Sequence, residues 1–336
     1  MHKKILVTGV GGFIASHFLS HVLVNTDWLV YGVDSFRHKG ISERLTFNKH
    51  YQENSHRVRI YTHDLTAPLS KVFISSVGQI DYIVNFASES HVDRSITDPV
   101  PFVKNNVDIA LNMLEYARFI KPSKFIQIST DEVYGPTDGV HNHREWDSII
   151  PSNPYSASKC CQEAIAISYW RTYGVPVILT NIMNQFGEMQ DTEKFVPMVI
   201  KKVLNGEKVT IHGSSDGQRS GARFWLHTRN TSDVILFLLN KVAPHMYPEH
   251  ARPERFNIVG EQQISNLDMA KKIAEIVNKP LSYELVDAHT SRPGHDLFYG
   301  LSSEKLLKYG YKYPVNLDES LKNTIRWSLE NPRWLE

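Results

Sequence analysis

An α/β fold built on a doubly wound parallel sheet, with a smaller C-terminal α/β lobe, is what this 336-residue chain predicts. Three observations predict it. Short β-branched and aromatic runs recur with helical stretches between them. The runs are apolar throughout rather than alternating, as strands covered on both faces are. A glycine-rich turn joins the first run to the first helical stretch. The runs fall at residues 5–7, 29–33, 58–61, 82–86, 125–128 and 177–179. Strands separated by helices are joined by crossovers, so they lie parallel with helices on both faces.

Residues 98–120 read as one long helix, because Phe102, Asn106, Ile109, Met113 and Ala117 recur at helical spacing. A second runs over 157–173 and carries a stripe of small residues, Ala157, Cys161, Ala164 and Ser168. Taken alone, either stripe reads as ordinary packing on the sheet. Beyond 177–179 the pattern becomes richer in turns, with isolated strands and shorter helices. Ser265 fits an N-cap for a helix reaching Val277, with Leu267, Ala270, Ile273, Ala274 and Val277 on one face and Pro280 as its stop. A last helix starts near Asp318 and ends before Pro332. The division expected is a dinucleotide-binding lobe over 1–180 and a substrate lobe over 181–336. The stretch 224–240 looks sheet-like and is a candidate to return to the first lobe.

Charge narrows the partners. Basic and acidic residues number 37 and 36, for a net charge of +1, and the basic ones are scattered. That gives neither a nucleic-acid footprint nor an anionic-membrane surface. No apolar run approaches the roughly 18 residues of a membrane span, and the glycines and histidines after Lys3-Lys4 interrupt any signal-peptide core. The two cysteines, Cys160 and Cys161, are helical neighbours poorly placed to pair, which fits a reducing, cytoplasmic setting. No metal site is proposed.

Thr8-Gly9-Val10-Gly11-Gly12-Phe13-Ile14-Ala15 lies between the first strand and a helix. Gly9 and Gly12 let the backbone turn tightly and approach a pyrophosphate, which the helix N-terminus favours. Phe13 and Ile14 open that helix. Asp34, 25 positions after Gly9 at the end of the second strand, can accept both ribose hydroxyls, which favours NAD over its 2′-phosphate. Arg37, His38 and Lys39 follow closely and could hold such a phosphate. Asp64, next to Leu65 after the third strand, reads either as an adenine contact or as a solvated loop carboxylate.

Tyr155 and Lys159 are four apart and share a helix face. A lone pair of this kind is usually a surface contact. Behind a dinucleotide site it becomes a base, since a phenol with a reference pKa of about 10 works near neutrality only beside positive charge. Ser129 and Thr130 end a strand, where ligands of open α/β sheets bind, and the Thr130 hydroxyl can share a substrate hydrogen bond with Tyr155. Asp131 and Glu132 follow. They read either as a hydrated turn or as two carboxyls confined to one site, of which one stays protonated as an acid while the other acts as a base.

The strings at 8–15, Ala87-Ser88-Glu89-Ser90-His91-Val92-Asp93-Arg94-Ser95, 128–135, 153–159, Arg171-Thr172-Tyr173-Gly174, Glu193-Lys194 and Arg292-Pro293-Gly294-His295-Asp296 together resemble the dTDP-glucose 4,6-dehydratases of the extended short-chain dehydrogenase/reductase family. The resemblance spans nearly the whole chain. It implies one retained NAD and a three-step cycle: oxidation at C4 with Tyr155 as base, loss of water across C5 and C6 through Glu132 and Asp131, and return of hydride to C6. It also implies that Ala87 and Ser129 contact the cofactor. Ser90, His91, Asn184, Glu193, Lys194, Arg223, Asn257 and Arg292 would then hold the hexose, the diphosphate or the base, although each alone reads equally as a structural polar contact. Family dimers pack two helices per subunit into a bundle, and 98–120 with 157–173 resemble those helices.

Some positions depart from the pattern. Phe224 stands where an aspartate is usual, 214–222 looks inserted, Asn181 replaces a common arginine, and Met183 and Gln185 flank Asn184. They touch the nucleotide pocket rather than the hydride chemistry. The expectation is a dehydratase of a nucleoside-diphosphate hexose. An epimerase or decarboxylase of the same family, or a catalytically silent dinucleotide sensor, are its rivals.

Overall fold

The computed structural model describes residues 2–37, 39–287 and 296–336. Seven strands form the main sheet: β1 (Lys4–Thr8), β2 (Leu29–Asp34), β3 (Val58–Thr62), β4 (Tyr82–Asn85), β5 (Lys124–Thr130), β6 (Val177–Ile182) and β7 (Glu254–Ile258). All pair in parallel, in the order β7-β6-β5-β4-β1-β2-β3.

Successive residues of a strand face opposite sides, and the two cores divide accordingly. Ile5, Val7, Val84, Ile126 and Ile178 face one layer, where they meet Phe18 and Leu19 of α1 (Phe13–Asn25). Leu6, Ile83, Phe125, Val177 and Leu179 face the other, against Met113 and Leu114 of α2 (Pro99–Ile120) and Ala166 and Trp170 of α3 (Pro154–Tyr173). Proline at the first position and a left-handed residue at the end bound both α2 and α3, namely Lys121 (φ 52°) and Gly174 (φ 69°).

Two expectations are corrected. The stretch read as sheet-like holds only the short strands Ala222–Phe224 and Leu226–His227, and then becomes helix α4 (Thr228–Lys241). Val234, Ile235, Leu238 and Leu239 repeat at helical spacing and pack in the same core as α1. The small-residue stripe of α3 does not pack on the sheet. Cys161, Ala164 and Ser168 are exposed, and Tyr155, Ser158, Lys159, Gln162 and Ala166 face inward instead.

A third core gathers Phe186, Val199, Ile200, Val209, Ile211, Met269, Ile273, Leu321 and Ile325. It covers a parallel pair of strands, Val209–Gly213 with Tyr283–Asp287. The helix Asn266–Val277 is capped by the Ser265 side chain, which accepts from the Asp268 amide, and the last long helix is Leu317–Glu330. Among the described residues no helix is long and apolar enough to cross a membrane.

Candidate active site

β1 pairs with β2 on one side and β4 on the other, so successive crossovers leave it in opposite directions. A cleft opens at the carboxyl ends of such strands. Here it encloses about 920 Å³ and runs from the glycine turn past Thr130 and Tyr155 to Phe195, Met198 and Thr210.

At its first end, Gly9 has φ +65°, and a Cβ there would lie 3.0 Å from the Ala87 Cα. A Cβ on Gly12 would lie 2.9 Å from the Gly9 carbonyl oxygen. Only glycine lets the turn close this tightly against the loop after β4. No side chain caps the N-terminus of α1, so its first amides remain available to an anion. Asp34 is buried; one of its oxygens accepts from the Gly11 amide and the other from the Phe36 amide, both at 2.9 Å. Each oxygen keeps a second lone pair for a ribose hydroxyl. These features suit a dinucleotide. Gly9, Gly12, Phe13, Ile14, Asp34, Asp64, Leu65, Ala87, Ser129, Tyr155 and Lys159 all line this cleft.

Thr130, Asp131 and Glu132 stand where β5 ends and a short 3-10 turn, Asp131–Tyr134, begins. Burial, reinforced by the neighbouring Glu132, raises Asp131 from the ordinary carboxylate range to about 7. Burial also raises the half-buried Glu132, against the pull of an Asn153 hydrogen bond and of Arg223 and Lys194. Asn153 Nδ2 donates to Glu132 Oε2 at 3.1 Å, while its Oδ1 accepts from the Ser156 amide and caps α3. One side chain therefore starts the helix that carries Tyr155 and orients the acid opposite it.

Tyr155 is buried, and burial followed by Glu132 pushes its phenol above the ordinary tyrosine value, with the nearby Thr130 hydroxyl pulling the other way. Lys159 Nζ donates to the Ile128 carbonyl at 2.8 Å and to Gln162 Oε1 at 2.9 Å. Burial lowers this ammonium to about 7, against the pull of Glu163.

Farther along lie Ser90, His91, Asn184, Glu193, Lys194 and Arg223. Glu193 pairs with Lys39 at 3.0 Å and with His91 at 3.5 Å. The Arg223 guanidinium is buried over the Tyr299 ring and donates to the carbonyls of Ala222 at 2.8 Å and Asp296 at 2.7 Å. Asn257 is corrected: it lies in the interior on β7, outside the cleft, where its Nδ2 donates to the His143 carbonyl at 3.0 Å. Arg292 lies outside the described residues.

The family model described as GDP-mannose 4,6 dehydratase matches residues 6–324. The chain belongs to that family. This family member is 32% identical to the dTDP-glucose 4,6-dehydratase of Shigella flexneri, over 99% of this chain and 94% of that one. It superposes on the dTDP-glucose 4,6-dehydratase of Streptomyces venezuelae, solved with NAD bound, with a TM-score of 0.85 at 30% identity, covering 99% and 100% of the two chains. It also superposes on the UDP-glucuronic acid 4-epimerase of Bacillus cereus, solved with UDP-glucuronic acid and NAD, with a TM-score of 0.83 at 25% identity over 98% and 99%.

Several residues of this family member escape sequence reasoning. Gln162 holds the Lys159 ammonium, but it reads as an ordinary helix position. Arg44, fully buried, donates to the Gly11 carbonyl at 3.2 Å, the Met189 carbonyl at 3.0 Å and Asp191 at 2.9 Å, joining the glycine turn to the substrate side. Phe195 stacks on Trp225 at 5.4 Å beside Met198 and Lys202, at the far end of the cleft. For Asn153 the sequence does carry a signal: asparagine directly before proline is a helix start.

Proposed function

We propose that this chain is an NAD-dependent sugar-nucleotide 4,6-dehydratase that converts dTDP-glucose to dTDP-4-keto-6-deoxyglucose. The observation that carries the reading is the convergence of Tyr155, Thr130, Asp131 and Glu132 on one cleft, with both carboxyls raised by burial. An oxidoreductase or epimerase needs only the phenol and the ammonium; eliminating water needs an acid and a base besides. Relatives named as dTDP-glucose 4,6-dehydratases support the substrate.

NAD, when bound, would supply the acceptor for the C4 hydride and the donor for C6. Gly9, Gly12, Phe13, Ile14 and Ala87 would hold its pyrophosphate, Asp34 its ribose, and Asp64 and Leu65 its adenine side. Arg37 pairs with Asp64 at 2.7 Å and Lys39 with Glu193 at 3.0 Å, so these cations are engaged elsewhere, which favours NAD over a 2′-phosphorylated form. Tyr155 takes the proton of the sugar 4-hydroxyl. Glu132 takes the C5 proton, made acidic by the new ketone, and Asp131 protonates the departing 6-hydroxyl. Lys194, Arg223, His91, Ser90, Asn184 and Glu193 line the path of the hexose and diphosphate.

Two further points belong to the proposal. The free cysteines Cys160 and Cys161 suit a cytoplasmic setting. Val100, Leu111 and Phe119 on α2 and Cys161 and Ala164 on α3 are exposed on helices that pack against each other, which supports a homodimer through this face. Light scattering should give a dimer for the native chain and a monomer for Ala164→Glu.

The deciding experiment incubates the purified protein with dTDP-glucose, UDP-glucose, CDP-glucose, GDP-mannose and UDP-glucuronic acid and reads each product by mass. A product lighter by one water from dTDP-glucose is expected. Unchanged mass with altered stereochemistry would point to an epimerase, release of carbon dioxide from a uronic acid substrate to a decarboxylase, and no turnover at all to a sensor.

A further inference from the structure

Arg44 is a charged side chain only 1% exposed, and the proposed reaction gives it no step. It projects from the short helix Ser42–Thr46. Its Nη1 donates to the Gly11 carbonyl at 3.2 Å, its Nε to the Met189 carbonyl at 3.0 Å and its Nη2 to Asp191 Oδ2 at 2.9 Å. A planar guanidinium holds such acceptors in fixed directions at once. Displacing one of the three therefore pulls on the other two.

Each end of this tie adjoins a binding surface. Gly11 also donates its amide to Asp34 Oδ2 at 2.9 Å, so the ribose carboxylate and Arg44 are fixed to one residue of the glycine turn. At the other end, Met189 and Asp191 lead into Glu193 and Lys194, which line the path of the hexose and diphosphate. Met189 stands at φ 61°, the left-handed region that a β-carbon disfavours. The segment keeps this course only while it is held, and Arg44 holds it by the Met189 carbonyl. Lys39 also reaches across, to Glu193 at 3.0 Å and Asp191 at 3.7 Å. Lys39 is half-exposed, where an ion pair contributes little and is screened by salt. Arg44 is the buried tie.

We propose that Arg44 couples the two ligands of the cleft, so that a seated dinucleotide sets residues 189–194 for the sugar nucleotide and a seated sugar nucleotide tightens the glycine turn on the dinucleotide. Whichever ligand binds first orders the tie, and the second meets it already ordered and binds more tightly. Linkage requires the two enhancements to be equal. Arg44 does not line the cleft, so it is a positioning residue that acts through Gly11, Met189 and Asp191. The proposal rests on the dTDP-glucose 4,6-dehydratase reading and deepens it: a cofactor reduced and reoxidised within one cycle is held hardest while the sugar nucleotide is present.

The test is calorimetric. dTDP, which has no hexose to react, is titrated into protein saturated with NAD and into protein stripped of nucleotide, and NAD is titrated with and without saturating dTDP. In the native protein each ligand should strengthen the other about tenfold, and the two ratios should agree. In Arg44→Met the ratio should fall to within about twofold of 1. Arg57→Met is the control for mere loosening of the fold. Arg57 likewise ties backbone carbonyls, of Leu23 at 2.7 Å and Thr26 at 2.8 Å, but does not line the cleft or reach residues 189–194. That variant should melt at a lower temperature with the ratio unchanged. Should Arg44→Met not fold, Asp191→Ala removes one anchor of the same tie and is read the same way. A ratio kept at its native value in Arg44→Met, whatever the fall in either affinity or in melting temperature, would overturn the proposal and leave Arg44 as a structural staple; so would a native ratio of 1. Failure of the native, NAD-saturated protein to bind dTDP at all would overturn the underlying substrate reading instead.

Discussion

Buried carboxyls are treated in two opposite ways in this protein. Glu163, on the inward face of α3, is fully buried and ion-paired with Arg255 of β7, and it also accepts from Asn181 Nδ2 at 2.7 Å. Asp131 is as deeply buried, yet the nearby Arg223 spends its N–H groups on the backbone carbonyls of Ala222, Asp296 and Leu297. Arg223 therefore acts on Asp131 and Glu132 through space only. A contacting guanidinium fixes a carboxylate in its charged form, whereas one held at a distance leaves the proton free to come and go. The fold supplies the partner where the charge is structural and withholds it where the proposed reaction moves a proton.

The largest effect that could break this contrast is on the rate. Glu132→Gln removes the proposed C5 base but keeps the amide-sized contact with Asn153, so dehydration should fall by about 10³-fold or more. C4 oxidation should still proceed, and rapid-mixing absorbance should show reduced nicotinamide accumulating. Full-speed dehydration would refute the assignment. Next comes stability. Arg255→Leu leaves Glu163 buried without its cation and should cost about 3–5 kcal/mol in denaturant unfolding. Adding Glu163→Gln to that variant should recover most of the loss, since the uncompensated charge is then gone.

Asp131→Asn should act in the opposite direction. The native carboxyl titrates near 7, well above its ordinary value, so between roughly pH 4 and pH 7 the native state holds a proton that the unfolded state has released. Stability from this group is present below the unfolded pKa and is lost as pH rises through about 7. Above that, the native protein buries a charge that the neutral amide of the variant does not carry. The variant should therefore be inactive yet more stable at pH 8, by on the order of 2–4 kcal/mol. At pH 4 the two should melt together. Lys159 has the mirror-image linkage: its ammonium is lowered to about 7 by burial, so its penalty is greatest at low pH and fades as pH rises toward its unfolded value.

The sheet is legible because its strands are buried on both faces and so read as unbroken apolar runs. The same rule hides α4. Val234, Ile235, Leu236, Leu238 and Leu239 are all buried, and a helix covered on most of its surface loses the alternation that would mark it. β7 escapes the pattern because Glu254, Arg255 and Asn257 are polar residues in a buried strand. Without that strand the Arg255–Glu163 pair, 92 residues apart, gives no reason to be suspected, and Asn257 reads as a ligand contact. In the chemical site, types and spacing of residues point to Tyr155, Lys159, Asp131 and Glu132, because helix periodicity and the strand end place them locally. Which hydrogen bonds they make depends on partners brought in from other elements.

Asn153 offers the smallest and sharpest version of the comparison, because one side chain serves both kinds of role. It caps α3 through Oδ1 and restrains Glu132 through Nδ2. Serine caps helices about as well as asparagine, so Asn153→Ser should change stability by no more than about 0.5 kcal/mol. It cannot reach Glu132 with an amide, however, and the hydrogen bond that pulls the Glu132 pKa down would be lost. A carboxyl with a higher pKa is ionised only at higher pH, so the acid limb of the dehydration rate should move upward while the melting temperature stays nearly constant. Measured rates across roughly pH 5 to 9 on the variant and native proteins would reveal this displacement, and an unmoved limb would mean that Asn153 matters to the helix alone.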